Sequence, residues 1–384
     1  MKQTARIISI HAADTSGVCS MLYELGGMVV VHDASGCNST YSTHDEPRWY
    51  RQDSMIYISA LTETDAILGN DEKLISDIAE AARDLSPRFI AVCGAPVPLL
   101  AGTDFPAIAA EIESRTGIPC FGLHTSGMNS YLTGASEALE AVVGRFCTEP
   151  AVPTVKPSVN IIGATPLDFS VLGVVESIRD WLESHGFEIV SCMAMGSTLD
   201  DVARAGNARV NLVVSSCGIA AAERLRERFG TPWVAGVPVG EKFPAVLTDA
   251  LRQAMETGAT ALPCADRSVP ASSNGDRIPA VVGEAVFSGS LAKAIELDTG
   301  RPCRVLCPLE AADSLLADGD LRIADEDAAA SAFAAASAVI ADPMYAPVCP
   351  GDVPFLRLPH EAFSGRCYRK ESLNLINRPL PWRP

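Results

Sequence analysis

Basic residues are scarce in this chain. Its 384 residues include 30 lysines and arginines against 47 aspartates and glutamates, which gives a formal net charge of −17. No run of basic side chains alternates with aromatic ones. Because nucleic-acid-binding surfaces are positively charged, this composition argues against a nucleic-acid partner. The excess of acidic groups favours solubility and is able to steer a basic protein partner.

Motifs that would assign a common catalytic chemistry are also missing. The sequence has no G-x-G-x-x-G after a predicted strand and no G-x-x-x-x-G-K-[ST] loop. If the reaction needs ATP or NAD(P)H, we therefore expect another polypeptide to supply it. Neither a G-x-S-x-G elbow nor an H-E-x-x-H pair occurs, which leaves hydrolase and zinc-protease functions without support.

Long apolar runs are absent as well. No segment reaches the ~18 apolar residues that a membrane helix needs. The N-terminal "MKQTARIISIHAADTSG" has one short apolar patch, which makes a poor secretion signal. We therefore expect a cytoplasmic protein with no membrane partner.

The pattern that is present alternates short apolar runs with amphipathic helices, which predicts an α/β fold. Two polar, proline-containing stretches, "EPAVPTVKP" and "CADRSVPASSNGDR", divide the pattern into three Rossmann-like lobes with parallel sheets. We expect these lobes at residues 1–150, 156–264 and 276–384. In the third, shortened lobe, "IPAVVGEAVF", "RPCRVLCPL" and "SAVIADP" are predicted as strands.

Twelve cysteines are scattered along the chain without a C-x-x-C pair, so a zinc ribbon or thioredoxin motif is excluded. Three of them lie near the ends of elements in the first lobe: Cys19, Cys37 and Cys93. Cys37 follows the apolar run Val29–Val31 and the turn residue Gly36, which permits close backbone approach. Soft thiolates at such ends suit an iron–sulfur cluster, with further ligands from a partner chain. The alternative is that these cysteines are small core residues.

Several motifs resemble the component-1 proteins of nitrogenase and their relatives. "VVHDASGC" looks like the family's H-G-x-x-G-C, "SALTETDAILGNDEKL" like its T-E-x-D-x-x-x-G-G-x-x-K-L, and "LLAGTD" like its I-G-D-D turn. "GIPCFGLHTSGM", "VNIIG" and "GSTLDDVARAGNARVNLVV" extend the similarity nearly end to end. The relatives include dark-operative protochlorophyllide reductase, the cofactor-assembly scaffold and the reductive cyclase of coenzyme F430 synthesis.

The resemblance implies a three-lobed component that receives electrons from an ATP-dependent iron–sulfur reductase. It implies an iron–sulfur cluster ([4Fe-4S] or a larger variant) at the interface of a homodimer, or of a heterodimer with a second component-1-like subunit. It also implies a second metallocofactor or a tetrapyrrole-like ligand among the lobes. Cys217, His360 and Ser197 are the candidates to line that cavity: Cys217 comes two residues after the family's cofactor cysteine and His360 one before its cofactor histidine.

The first-lobe cysteines match the family pattern at one position. Cys37 is in register, but the family's first cluster cysteine falls near Thr15, four residues before Cys19, and its third falls at Pro96, three residues after Cys93. The cluster is therefore altered, shared asymmetrically with a different subunit, or lost. We expect a reductase subunit whose substrate is not dinitrogen. The alternatives are a non-catalytic scaffold for metallocofactor assembly and a metal-free structural partner.

Overall fold

The computed structural model describes residues 7, 11–34, 36, 38, 45–148, 152, 154–270 and 277–382. The first part of the chain builds a four-stranded parallel sheet in the order β2–β1–β3–β4. Its strands are β1 (Met28–His32), β2 (Met55–Ile58), β3 (Ile90–Gly94) and β4 (Cys120–Gly122). The helices of this part are α1 (Asp14–Leu22), α2 (Glu63–Leu68), α3 (Asp71–Leu85), α4 (Pro96–Ala101), α5 (Phe105–Thr116) and α6 (Tyr131–Phe146).

The middle of the chain forms a second parallel sheet, in the order β6–β5–β7–β8. Its strands are β5 (Ser158–Ile162), β6 (Glu188–Cys192), β7 (Val210–Val213) and β8 (Trp233–Ala235). The accompanying helices are α7 (Pro166–Phe169), α8 (Val174–Ser184), α9 (Leu199–Ala203), α10 (Ile219–Phe229) and α11 (Phe243–Thr257).

The last part of the chain forms a third parallel sheet, in the order β11–β10–β9–β12–β13. Its strands are β9 (Ala280–Val282), β10 (Arg304–Cys307), β11 (Leu321–Arg322), β12 (Val339–Ala341) and β13 (Phe355–Arg357). Its helices are α12 (Ala285–Thr299), α13 (Glu326–Ala334) and α14 (Glu361–Ser364). Three parallel sheets within the described residues confirm the predicted α/β class; the exact limits of the lobes stay predictions.

One predicted strand is much shorter than expected. The run "IPAVVGEAVF" leaves the sheet after Val282, and the remaining apolar residues open α12. The carboxylate of Glu284 causes the change, because it accepts hydrogen bonds from the backbone N–H groups of Val286 and Phe287 at 3.0 and 2.9 Å. An acidic cap of this kind satisfies the free donors at a helix start.

Helices α1 and α6 cross at very close range, and α6 connects this crossing to the second lobe. A Cβ atom placed on Gly17 of α1 would lie 1.9 Å from the carbonyl oxygen of Tyr131, and one on Gly134 of α6 would lie 2.0 Å from that of Asp14. Only glycine permits such an approach. On its other side α6 packs against α10 of the second lobe. No helix within the described ranges is long and apolar enough to cross a membrane.

A buried ion pair connects the segment before the third lobe to residues of that lobe. The side chains of Arg267 and Asp320 are 1% and 0% exposed, and their charged groups lie 2.5 Å apart. Arg267 also donates to the carbonyl oxygens of Cys264 and Cys303, both at 3.0 Å. The segment around Arg267 is thereby tied to the third sheet.

We expect Asp320→Ala to lower the free energy of unfolding by about 3–5 kcal/mol, because it leaves the buried guanidinium without a counter-charge. The matched control is Asp200→Ala, which breaks the exposed Arg88–Asp200 pair of similar length, 2.6 Å. That control should leave stability unchanged, since exposed pairs contribute little. Urea unfolding followed by circular dichroism measures both, and equal losses would contradict the argument.

Candidate functional site

Two of the three cysteines predicted as cluster ligands lie in the hydrophobic core. Cys19 projects from α1 and is 2% exposed, and Cys93 lies in β3 with no exposure. Burial raises the pKa of Cys19 well above its usual range, and the neighbouring Cys93 adds to this effect. Burial raises the pKa of Cys93 to about 12. Burial therefore disfavours the thiolate form of both side chains, and the thiolate is the form that binds a cluster.

The positions in register with the family's missing cysteines carry no sulfur. Thr15 lies in the first turn of α1, where its hydroxyl is 3.5 Å from the amide oxygen of Asn38. Pro96 is the first residue of α4. The two positions are connected through Asp14, whose carboxylate accepts from the backbone N–H of Gly127 at 2.8 Å, and Gly127 lies against Pro96. The surroundings of these two positions therefore consist of hydroxyl, carboxylate, amide and proline groups and not of thiols.

Cys37, the cysteine in register, lies outside the described residues and stays a prediction. The residues around it are described in part. Gly36 is exposed, and the amide of Asn38 donates to the carboxylate of Asp33 at 2.7 Å. His32, at the end of β1, is 2.8 Å from the hydroxyl of Ser59 through its Nδ1. These contacts anchor His32, Asp33 and Asn38, which are described neighbours of Cys37 in the sequence.

A cluster of polar side chains lies where the three lobes meet, and we call this cluster the junction. The hydroxyl of Tyr131, at the start of α6, donates to Oδ1 of Asp168 in α7. Nε2 of His360, directly before α14, lies 3.3 Å from the same oxygen. The three residues come one from each lobe. The Asp168 side chain is 2% exposed and that of His360 13%.

Cys217 and Glu284 complete the junction. Cys217 follows β7 and is fully buried; its pKa is raised well above the usual range, first by burial and then by the charge of Asp168. Glu284 follows β9 and accepts from the backbone N–H of Ser216 across the lobe boundary at 2.9 Å. Burial and the charge of Asp168 raise the pKa of Glu284. Ligands of parallel sheets bind beyond the carboxyl ends of strands, which is where these residues lie.

A family model described as "Nitrogenase component 1 type Oxidoreductase" matches residues 15–263. The chain belongs to this family. One relative is a light-independent protochlorophyllide reductase chain of Prosthecochloris aestuarii, which is 28% identical over 174 residues that cover 44% of this chain and 32% of that protein. Nitrogenase iron-molybdenum cofactor biosynthesis protein NifE of Sinorhizobium fredii is 27% identical over 205 residues, 51% of this chain and 39% of that protein.

Solved structures agree with this family on the fold. The structure "Nitrogenase Cp1 at pH 5" has a TM-score of 0.67 and 16% sequence identity, and the match covers 98% of this chain and 88% of that one. The match confirms the nitrogenase component-1-like architecture. The chain matches these two relatives over less than two fifths of their length, so their activities are not transferred by the alignments.

The described thiols of this component-1-type chain do not fit an iron–sulfur cluster. Among the described residues, no group of three or more His, Cys, Asp or Glu side chains is placed to hold a metal ion. Cys19, Thr15 and Asn38 line a narrow gap that has no room for a water molecule. Cys19 and Cys93 therefore act as core residues in this structure, and Cys37 is the candidate that remains.

The structure brings together two of the three residues predicted to line a cofactor cavity. Cys217 and His360 both lie at the junction beside Asp168. Ser197 has a different role, because its hydroxyl accepts from the backbone N–H of Cys192 at 2.6 Å at the end of the edge strand β6. Tyr131, Asp168 and Glu284 were not among the sequence candidates. A search for acidic residues shortly after strands would have found the two carboxylates.

Thiol reactivity tests the placement of the cysteines. With the pKa of Cys93 near 12, roughly one thiol in ten thousand is ionised at about pH 8, and its alkylation rises only as the pH approaches that value. We expect iodoacetamide to label the exposed Cys367 long before Cys93 or Cys19, as measured by peptide mass spectrometry. Labelling of Cys93 at the rate of Cys367 would show that its thiol is available as a ligand.

Proposed function

We propose that this chain is one subunit of a heterodimeric component-1-type reductase, paired with a second, non-identical component-1-like subunit. Electrons would come from a separate ATP-dependent iron–sulfur reductase. Members of the family work with such a reductase and form multi-subunit complexes. The absence of a nucleotide-binding motif in the sequence agrees with this division of labour.

The observation that carries the proposal is the placement of the cysteines. Thr15 and Pro96 occupy the register of two cluster ligands, while the thiols of Cys19 and Cys93 are buried in the core. A homodimer would therefore supply one Cys37 thiolate from each chain, whereas a [4Fe-4S] cluster takes four. A second chain with its own set of cysteines would supply the rest. The number of thiolate ligands available to the cluster therefore favours a heterodimer over a homodimer.

An apolar surface on the first lobe supports the pairing. Its members are largely exposed: Ile67 and Leu68 of α2 at 75% each, Leu99 and Leu100 of α4 at 54% and 87%, and Met128 at 65%. Helix α2 packs on α4, and Gly127 lies against Pro96, so these side chains share one region, which we call the α2–α4 face. Exposed apolar patches of this kind mark protein interfaces. The face adjoins Pro96, one of the positions in register with a cluster ligand.

A non-catalytic scaffold for metallocofactor assembly is the second candidate. It is favoured by the similarity to NifE, whose name assigns that protein to the biosynthesis of the nitrogenase iron-molybdenum cofactor. A scaffold would release its metal group to an acceptor protein, whereas a reductase subunit would keep it through turnover. Retention of iron after incubation with the reductase and ATP therefore separates the two candidates.

Metal content tests the heterodimer directly. Purified anaerobically with the component-1-like chain of its gene neighbourhood, the complex should contain about four irons and equivalent acid-labile sulfide. Cys37→Ala should lose most of this iron, because it removes the one thiolate in register. The matched variants Cys19→Ala and Cys93→Ala remove core thiols and should keep it. Iron lost in the matched variants but kept in Cys37→Ala would contradict the assignment.

The α2–α4 face makes a separate prediction about assembly. Leu100→Asp should abolish or strongly weaken the complex, because a carboxylate would be buried in an apolar interface. Val155→Asp, at a residue that is 98% exposed in the linker between lobes, is the control and should leave the complex intact. Size-exclusion chromatography with light scattering measures both. A complex that survives Leu100→Asp would place the interface elsewhere.

A further inference from the structure

The junction contains buried polar atoms whose hydrogen bonds are not satisfied by the described residues. Oδ2 of Asp168 and Oγ of Ser216 are buried and have no hydrogen-bond partner among the described residues, and the contact of Nε2 of His360 with Oδ1 of Asp168, at 3.3 Å, is long. Unpaired groups of this kind are costly and indicate a role beyond packing. The resemblance drawn from the sequence would make the junction a metallocofactor site with Cys217 and His360 as ligands. The hydrogen bonds of these two side chains point to different chemistry.

His360 is held in one tautomer. Its Nδ1 lies 3.2 Å from the backbone N–H of Ala362, which caps the start of α14. A backbone N–H only donates, so Nδ1 must be the unprotonated acceptor. The proton of the neutral ring is then on Nε2, the nitrogen that lies 3.3 Å from Asp168. A protonated Nε2 has no lone pair for a metal ion.

The backbone of His360 is fixed by another buried acid. Asp342, which follows β12, accepts from the backbone N–H of His360 and from the hydroxyl of Ser364, both at 2.7 Å. Turning the ring to free Nδ1 or Nε2 would break the cap of α14 while this anchor stays in place. The tautomer is therefore built into the fold of the third lobe.

Cys217 also carries its proton. Its sulfur lies 3.5 Å from the hydroxyl of Ser215 and 3.9 Å from the carbonyl oxygen of Gly163, an atom that only accepts. The residue is fully buried, and the neighbouring carboxyl groups are Asp168 and Glu284. Two acids beside a buried sulfur oppose the formation of a thiolate, which a metal ligand requires.

We propose that the junction is a proton-bearing acid–base site, formed by Tyr131, Asp168 and His360, and that Cys217 and His360 are not metal ligands. The hydroxyl of Tyr131 and the Nε2–H of His360 both lie beside Oδ1 of Asp168, and Oδ2 of the same carboxylate has no hydrogen-bond partner among the described residues. The inference rests on the proposed function, because a reductase that adds hydrogen to its substrate needs protons as well as electrons. The proposal assigns the supply of protons to Tyr131, Asp168 and His360 of this chain.

Selective ¹⁵N-histidine labelling of the full-length chain tests the tautomer. The chain has six histidines, and His360→Gln assigns the signal; if that variant does not fold, assignment proceeds by elimination with the other five. We expect the proton of His360 on Nε2. His185 is the internal reference with the opposite tautomer, because its Nδ1 lies 2.8 Å from the carbonyl oxygen of Trp181 and must donate. A proton on Nδ1 of His360 would overturn the proposal.

Cobalt titration tests metal binding at the same place. Co²⁺ added to the anaerobic chain should leave the His360 signal unshifted, and any thiolate-to-cobalt absorption band should persist in Cys217→Ser. A band lost in Cys217→Ser, or a His360 signal broadened by Co²⁺, would identify a metal site at the junction and overturn the proposal. The interface cluster depends on Cys37 and on iron content, so its failure is distinguishable from this one.

Discussion

The close crossing of α1 and α6 is the contact on which both functional regions depend. Gly17 and Gly134 let the two backbones approach to a distance that no side chain permits. On one side, the crossing turns Cys19 into the core and places Asp14 under the loop that contains Gly127. On the other side, it brings Tyr131 to Asp168. A larger side chain at either glycine would force the two helices apart. It would disturb the surroundings of Cys19 and Asp14 and the contact of Tyr131 with Asp168 at the same time.

Three buried carboxylates of this acidic chain are stabilised by backbone donors. Asp14, Glu284 and Asp342 are each at most 2% exposed, and each accepts hydrogen bonds from backbone N–H groups. Backbone donors at helix starts and turns stabilise negative charge without a cation. Asp168 differs from these three, because its Oδ1 accepts from a tyrosine hydroxyl and its Oδ2 has no hydrogen-bond partner among the described residues. This difference is the reason for placing Asp168 in the proposed acid–base site.

The sequence predicted the architecture well and the site in part. Short apolar runs indicated the strands β10 and β12, because buried parallel strands are short apolar segments in the sequence. The same rule failed at "IPAVVGEAVF", because an apolar run does not distinguish a strand from the first turns of a buried helix. Spacing alone likewise did not separate Cys19 and Cys93 from ligands, since burial depends on which face of an element meets its neighbours.

By itself, the sequence determined the α/β class, the family resemblance, the acidic composition and the single cysteine in register, because each is written in local composition and spacing. Only the tertiary structure decided that Cys19 and Cys93 are core thiols and that Tyr131, Asp168 and His360 meet. Tyr131 and Asp168 are 37 positions apart in the chain, and Asp168 and His360 still further. Their contact follows from how three sheets pack together, which no local pattern records.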